Sequence, residues 1–320
     1  MKNKKIEANT AFQYLEDIRQ EIVKLQWAAY TSILIGALAF IFFAHSSFFS
    51  DDISRHSLGT LNIAIIISCV ALVVFGIFKF CRLSEAKNSY KYSYKAYLVQ
   101  GVVKHMRPSW SYSPLGMAKN QFQCSELFPQ MDKFESDDGI EGDVEGKRFR
   151  SSDVLVKEYQ GSGKNRRLVT VFRGLVVAIN YEDYLGQKIF VLPDVAERSL
   201  GVFLGKFIQG ANFSRPDLVN LEDPDFEKQF VVYATDSYAA HRFLTPVRMN
   251  KFCQLKQGKK FHGVSIINGV AYFAIRFSDD LFEPKINRPI EKVDVKEIED
   301  VVVYIEDFVR FTHTDQRVSG

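Results

Sequence analysis

The chain has 320 residues, of which 47% are hydrophobic, and a formal net charge of +3. That length suits one sizeable domain with an appendage, or two modest domains. The small net charge gives no sign of nucleic acid or a strongly acidic partner, and the four scattered cysteines (Cys69, Cys81, Cys124 and Cys253) exclude a disulfide framework or a cysteine zinc site and suit a reducing compartment.

Residues Phe12, Leu15, Ile18, Ile22 and Leu25 follow a three-and-four spacing that predicts an amphipathic helix. From Leu25 to Ser50 no residue is charged, and Trp27–Ala44 is almost wholly apolar; Ser57–Phe78 repeats the pattern. Both runs meet the roughly 20 residues needed to cross a bilayer, which predicts a two-helix transmembrane hairpin with spans at 27–44 and 58–78. The first run is too long for a signal peptide and follows Glu7, Glu16, Asp17 and Glu21, so no cleavage is expected. Lys2, Lys4, Lys5, Arg19 and Lys24 precede the first span, and Lys79, Arg82, Lys87, Lys91 and Lys95 follow the second. The intervening loop carries Arg55 alone, beside Asp51 and Asp52. This asymmetry predicts a multi-pass protein of the bacterial inner membrane with both termini cytoplasmic. Ala28, Ser32 and Gly36, with Ala64 and Ser68, are spaced for close helix approach in lipid. Behind the second span Phe80, Leu83, Lys87, Tyr90, Tyr94 and Tyr97 extend the helical pattern, predicting a stalk that packs as an antiparallel pair. The alternative for Tyr90, Tyr92, Tyr94 and Tyr97 is an interfacial belt on anionic lipid.

Residues 1–100 therefore form the hairpin and stalk, and residues 101–320 a cytoplasmic domain with a possible seam near 212–225. Pro108 and Pro114 bracket Trp110–Pro114, which reads as a linker or domain entrance. Strands are expected over Phe149–Gln160, Arg167–Tyr181, Lys188–Leu192, Phe230–Tyr233, Gly263–Ile267 and Val270–Phe277. Gly161–Asn165 and Asn268-Gly269 mark hairpin turns. Helices are expected over Val195–Gln209, Ser237–Leu255 and Val295–Phe311. The fold class is α+β, with an antiparallel-sheet-rich domain after the hairpin.

Phe172-Arg-Gly174-Leu175, Leu192-Pro-Asp194, Leu221-Glu-Asp-Pro-Asp-Phe226-Glu-Lys-Gln-Phe230-Val-Val-Tyr233, Leu244-Thr-Pro246 and Leu281-Phe-Glu-Pro284 occur in that order. With Ser125–Phe128 and Gly139–Ser152 they resemble the bacterial family of unknown function numbered 3137, across most of Tyr112–Pro284. The resemblance implies a membrane-anchored protein with no assigned activity and no established catalytic residues.

No catalytic set and no cofactor site emerges from the residue spacing. None of the six histidines forms H-x-x-H or H-E-x-x-H, and His241 beside Arg242 reads as a surface residue. Glu141, Asp143 and Glu145 are the candidates for a divalent cation, because alternate positions on a strand share a face. The competing reading is a solvated face opposite Lys147, Arg148 and Arg150. Gly161-Ser-Gly163-Lys164 lacks phosphate-loop spacing. Gly201, Gly205 and Gly210 mark a small-faced helix that docks on the sheet, the membrane or a partner. The expected function is a non-enzymatic, membrane-anchored binding or scaffold module that recruits a protein or lipid. Its expected partners are the lipid bilayer and a protein partner or second copy, without nucleic acid. The alternative is a membrane-tethered metal-dependent hydrolase using the acidic face, while spans without charges disfavour a transporter.

Overall fold

The computed structural model describes residues 2–49, 58–128, 130–194, 216–257 and 261–313. The loop 51–57 and the helix expected over Val195–Gln209, with its three glycines, lie outside them. The chain divides into two compact units: Met1–Leu98 with Glu283–Asp294, and Val99–Phe282 with Val295–Gly320.

The first unit is built on α1 (Lys2–Phe49) and α2 (Leu58–Tyr94). Both are long and apolar enough to cross a membrane, and only 11% of each most apolar stretch is buried. Leu34, Ile41 and Phe42 of α1 and Ile67, Val74 and Phe78 of α2 all face outward. The helices meet at small residues, with Ala29, Ser32 and Gly36 against Cys69 and Gly76. A Cβ on Gly36 would lie 3.1 Å from the Cys69 carbonyl oxygen, and one on Gly76 3.2 Å from that of Ala29. Ala28, Ala64 and Ser68, expected at this seam, are exposed, and the Ser68 hydroxyl instead donates to the Ala64 carbonyl at 2.9 Å.

Beyond the apolar stretches Leu15, Ile22, Leu83, Tyr90 and Tyr94 are buried, as a packed stalk requires. Tyr92 and Tyr97 remain exposed, Tyr97 lying edge-on to Tyr14 at 5.5 Å. The returning segment Glu283–Asp294 joins this unit through charge. Glu283 takes Lys91 at 2.6 Å and the buried Lys95 at 2.9 Å. Arg19 donates to the Ile286 carbonyl at 3.0 Å while Glu16 accepts its Nε and Nη2 at 2.8 and 2.6 Å. Helix α2 runs on through a single π-turn, Lys95–Val99, which shifts the helical register.

The second unit contains α3 (Gln100–Met106), β1 (Ser111–Leu115), α4 (Lys119–Gln123), β2 (Lys133–Val144), β3 (Lys147–Gln160), β4 (Arg167–Asn180) and β5 (Lys188–Pro193). There follow β6 (Asp217–Leu218), α5 (Pro224–Glu227), β7 (Phe230–Ala234), α6 (Ser237–Phe243), α7 (Pro246–Gln257), β8 (Phe261–Ile267), β9 (Val270–Arg276) and α8 (Lys292–Phe311), whose first turn belongs to the other unit. Among the described residues the nine strands form one antiparallel sheet in the order β1-β2-β3-β4-β9-β8-β5-β7-β6. The fold is thus α+β: long apolar helices followed by an antiparallel-sheet domain. The β8–β9 turn is Asn268-Gly269, with φ of 49° and 78°, the pair of positive angles such hairpins need.

Each sheet face is covered. On one, Phe273 packs on Phe308 and Phe311 of α8 at 5.2 and 5.7 Å, and Phe252 of α7 meets Phe311 at 5.0 Å. On the other, Phe122 and Phe128 close over Phe172, Val176, Leu192 and Ala274. Every residue of β8 is consequently buried.

Two sequence expectations need correction. Trp110–Pro114 is no linker: it enters edge strand β1, where Pro114 costs no internal ladder bond. Trp110 is buried edge-on to Phe149 at 4.6 Å. The helix expected over Ser237–Leu255 is two helices, because Pro246 disfavours helical geometry at Thr245.

The Leu221–Tyr233 block is structural. Asp223 Oδ1 accepts from Asp225 N and Phe226 N at 3.0 Å, capping α5 behind Pro224. Glu227 Oε1 accepts from Leu221 N at 2.6 Å, and Phe226 stacks on Phe230 at 4.7 Å.

Candidate functional site

Strand register assembles one open pocket of about 650 Å³ on the α4 side of the sheet. Glu141 lies opposite Arg150, Arg150 opposite Ala178, and Ala178 opposite Tyr272, a continuous row across β2, β3, β4 and β9. One pleat along, Asp143 faces Arg148 and Asn180 faces Val270. Directly opposed side chains on one face lie close enough to interact. Arg150 Nε meets Glu141 Oε1 at 2.7 Å, and its Nη1 donates to Gln121 Oε1 of α4 at 2.9 Å. Arg148 forms no ion pair among the described residues. Burial pushes the Tyr272 hydroxyl up to about 12, so it stays protonated as a donor.

The three carboxylates considered for a metal are distributed as follows. Glu141 and Asp143 line the pocket, as their two-residue spacing on a strand requires. Asp143 Oδ1 accepts from Gly146 N at 2.9 Å and thereby shapes the β2–β3 turn. Glu145 lies within that turn at φ 51°, off the strand's alternation, and pairs with Arg310. Each carboxylate thus has its own protein partner. His241 is exposed on α6, with Nδ1 2.7 Å from the Ser237 carbonyl oxygen.

Asp153, His262 and Arg248, which residue spacing did not single out, are buried, and Lys147 is half-buried. Asp153 on β3 is pushed up to about 7 by burial, against the Leu281 N–H, which donates to its Oδ2 at 2.7 Å; Asp137 and Asp138 add to the rise. His262 occupies the bulge where Phe261 faces Ile275 and Gly263 faces Ala274. It stacks on Phe128 at 4.9 Å, and Nδ1 accepts from Arg276 Nε at 3.1 Å. Burial, with Arg276 beside it, holds its pKa well below the ordinary histidine range, so the ring is neutral. Lys147 donates to the Thr312 carbonyl at 2.8 Å and lies 4.1 Å from the Tyr181 ring centre, and burial lowers its pKa. Arg248 is buried too, donating to the Phe243 and His313 carbonyls at 2.9 and 3.0 Å. Both carbonyls lie at helix ends, where partial negative charge suits a cation. The only sequence signal for Asp153 and His262 is a charged or titratable residue set inside an apolar strand.

Residues 170–314 match the family described as "Protein of unknown function (DUF3137)". The resemblance drawn from the motifs is therefore shown over that stretch. No curated protein matches the chain. The crystal structure of the mycobacterial trehalose monomycolate transport factor A, TtfA, aligns over 69% of this chain and 97% of its own, with 11% identity and a TM-score of 0.36.

Proposed function

We propose that the protein is a membrane-anchored binding or scaffold module without catalytic activity, held at the bacterial inner membrane with both termini cytoplasmic and recruiting a protein or lipid there. The outward-facing apolar surface of α1 and α2 carries this reading, because water does not tolerate apolar faces of that extent. The lysine and arginine asymmetry supports the orientation. The polar sheet pocket, with paired charges and an open mouth, suits reversible recognition of an extended polar segment.

Topology is tested with Cys124, which is exposed in the sheet unit. A membrane-impermeant maleimide should spare it in spheroplasts and label it after lysis. Labelling before lysis would reverse the orientation. The scaffold role is tested by crosslinking and gentle-detergent co-purification of the full chain with mass spectrometry. A stoichiometric partner lost on deleting residues 101–320 is expected. A chain that emerges alone with a bound metal or small molecule would favour the hydrolase.

A further inference from the structure

The first unit contains a cavity of about 600 Å³ lined by Arg19, Gln26, Trp27, Tyr30, Lys87 and Ile286, among others. All of these lie within Met1–Leu98 and Glu283–Asp294. We propose that this cavity binds the headgroup of an anionic phospholipid of the cytoplasmic leaflet, with Lys87 as the phosphate ligand. The inference rests on the membrane-anchored reading.

Depth is the first argument. Trp27 opens the first apolar run and Tyr30 lies one turn inside it, so both mark the edge of the hydrocarbon. Arg19 to Tyr30 covers about 16 Å of helix, and the headgroup layer is roughly 5–8 Å thick on each side. The cavity therefore spans the headgroup layer. Trp27 and Tyr30 are 66% and 48% exposed, leaving an aromatic wall against which a glycerol backbone can lie.

Charge is the second. Arg19 is already neutralised by Glu16 and fixed on the Ile286 carbonyl, so it builds the wall. Lys87 is half-buried and forms no ion pair among the described residues. An ammonium that lines a cavity without a counter-ion is a ready partner for an anion. Its neighbours along α2 show the same bias, with Lys79 over Phe75 at 5.2 Å and Arg82 over Phe78 at 5.4 Å. Helical side chains lean toward the helix N-terminus, and on α2 that direction is the membrane. A free phosphate would satisfy Lys87 alone, whereas a lipid also fills the aromatic side.

Trp27 is a built-in reporter, because the only other tryptophan, Trp110, is buried in the sheet unit. The full chain is reconstituted in phosphatidylcholine vesicles containing either brominated phosphatidylglycerol or brominated phosphatidylcholine at equal mole fraction. Phosphatidylglycerol should quench Trp27 with about fivefold higher apparent affinity, the factor expected for one lysine at an anionic surface. Lys87→Gln should bring the ratio near one, while Lys87→Arg, and Lys24→Gln at an exposed neighbour, should keep most of it. Equal quenching in the unaltered chain, or a preference that survives Lys87→Gln, overturns the proposal. A chain that floats with the vesicles yet is quenched by neither lipid also overturns it and puts protein over Trp27. A chain that fails to float refutes the anchor itself.

Discussion

The two units use apolar residues in opposite ways. In the helical unit large side chains such as Leu34 and Phe42 face outward, and the helix contact is made by Ala29, Ser32, Gly36 and Gly76. In the sheet unit the large side chains face inward, and Phe252, Phe273, Phe308 and Phe311 bind helices to strands. On the membrane-anchored reading proposed above, the solvent explains the difference. Water drives burial of apolar area, whereas lipid is as apolar as leucine and leaves close backbone packing as the source of cohesion. Glycine therefore has different duties in the two units, and substitutions separate them.

The largest effect should fall on the sheet. Gly174 lies at φ 150° in β4, opposite Arg276 of β9, and a Cβ there would collide with the Ile275 carbonyl. Gly174→Ala should cost about 4 kcal/mol, combining overpacking with backbone strain. For a domain of this size that lowers Tm by about 8–16 °C, measured by differential scanning fluorimetry of the detergent-solubilised chain. The helical unit should be unaffected, so flotation with vesicles should not change.

Asp153 comes next. Its folded pKa, about 7, lies above the ordinary carboxylate value of 3.8 because burial disfavours the charged form. Its stabilising contribution is thus fully present below about pH 4 and is lost as pH rises through 7. Over that window the sheet unit should lose on the order of 3 kcal/mol. Asp153→Asn keeps an acceptor for the Leu281 N–H and should flatten this part of the Tm–pH curve. An unchanged slope between pH 4 and 7 would exclude Asp153 as its source.

How far the sequence discloses this arrangement depends on the range of the interactions. Local signals read correctly: Asn268-Gly269 made its hairpin, and the apolar runs became α1 and α2. Pro246 carried the split between α6 and α7 in plain view, but the apolar spacing on either side hid it. The return of Glu283–Asp294 to the first unit was not legible, because it depends on Glu283 meeting Lys91 and Lys95 far away in sequence. Burial of both faces erased the alternation in β8 that would have marked His262 as inward. The pocket row Glu141–Arg150–Ala178–Tyr272 needs the registers of three strand pairs, whereas residue spacing discloses only that an acidic segment precedes a basic one.

In the helical unit Gly76→Leu should push α1 from α2 where Ala29 and Ser32 now touch it. No hydrophobic effect drives the helices together in lipid, so losing this one packing contact should cost less than the collision at Gly174. It should appear as an earlier midpoint in an SDS titration read by energy transfer between labels on the two helices. The fluorimetric Tm of the sheet unit should stay fixed, and a fall in it would show that the two units unfold together.

The smallest effect is the most informative about function. Replacing Glu141, Asp143 and Glu145 together by alanine removes half-exposed partners of Arg150 and Arg310 and one turn acceptor. Exposed ion pairs contribute about 0–1 kcal/mol each, so Tm should fall by only a few degrees. The opposed charges at Arg148 and Arg150 then dominate the pocket. A partner recognised through its own carboxylates should bind the triple variant more tightly, and one recognised through its basic groups should be lost. If the three residues instead hold a divalent cation, chelation should lower Tm in the unaltered chain and leave the triple variant unmoved. That result would make the acidic face a metal site despite the pairing of each carboxylate with protein.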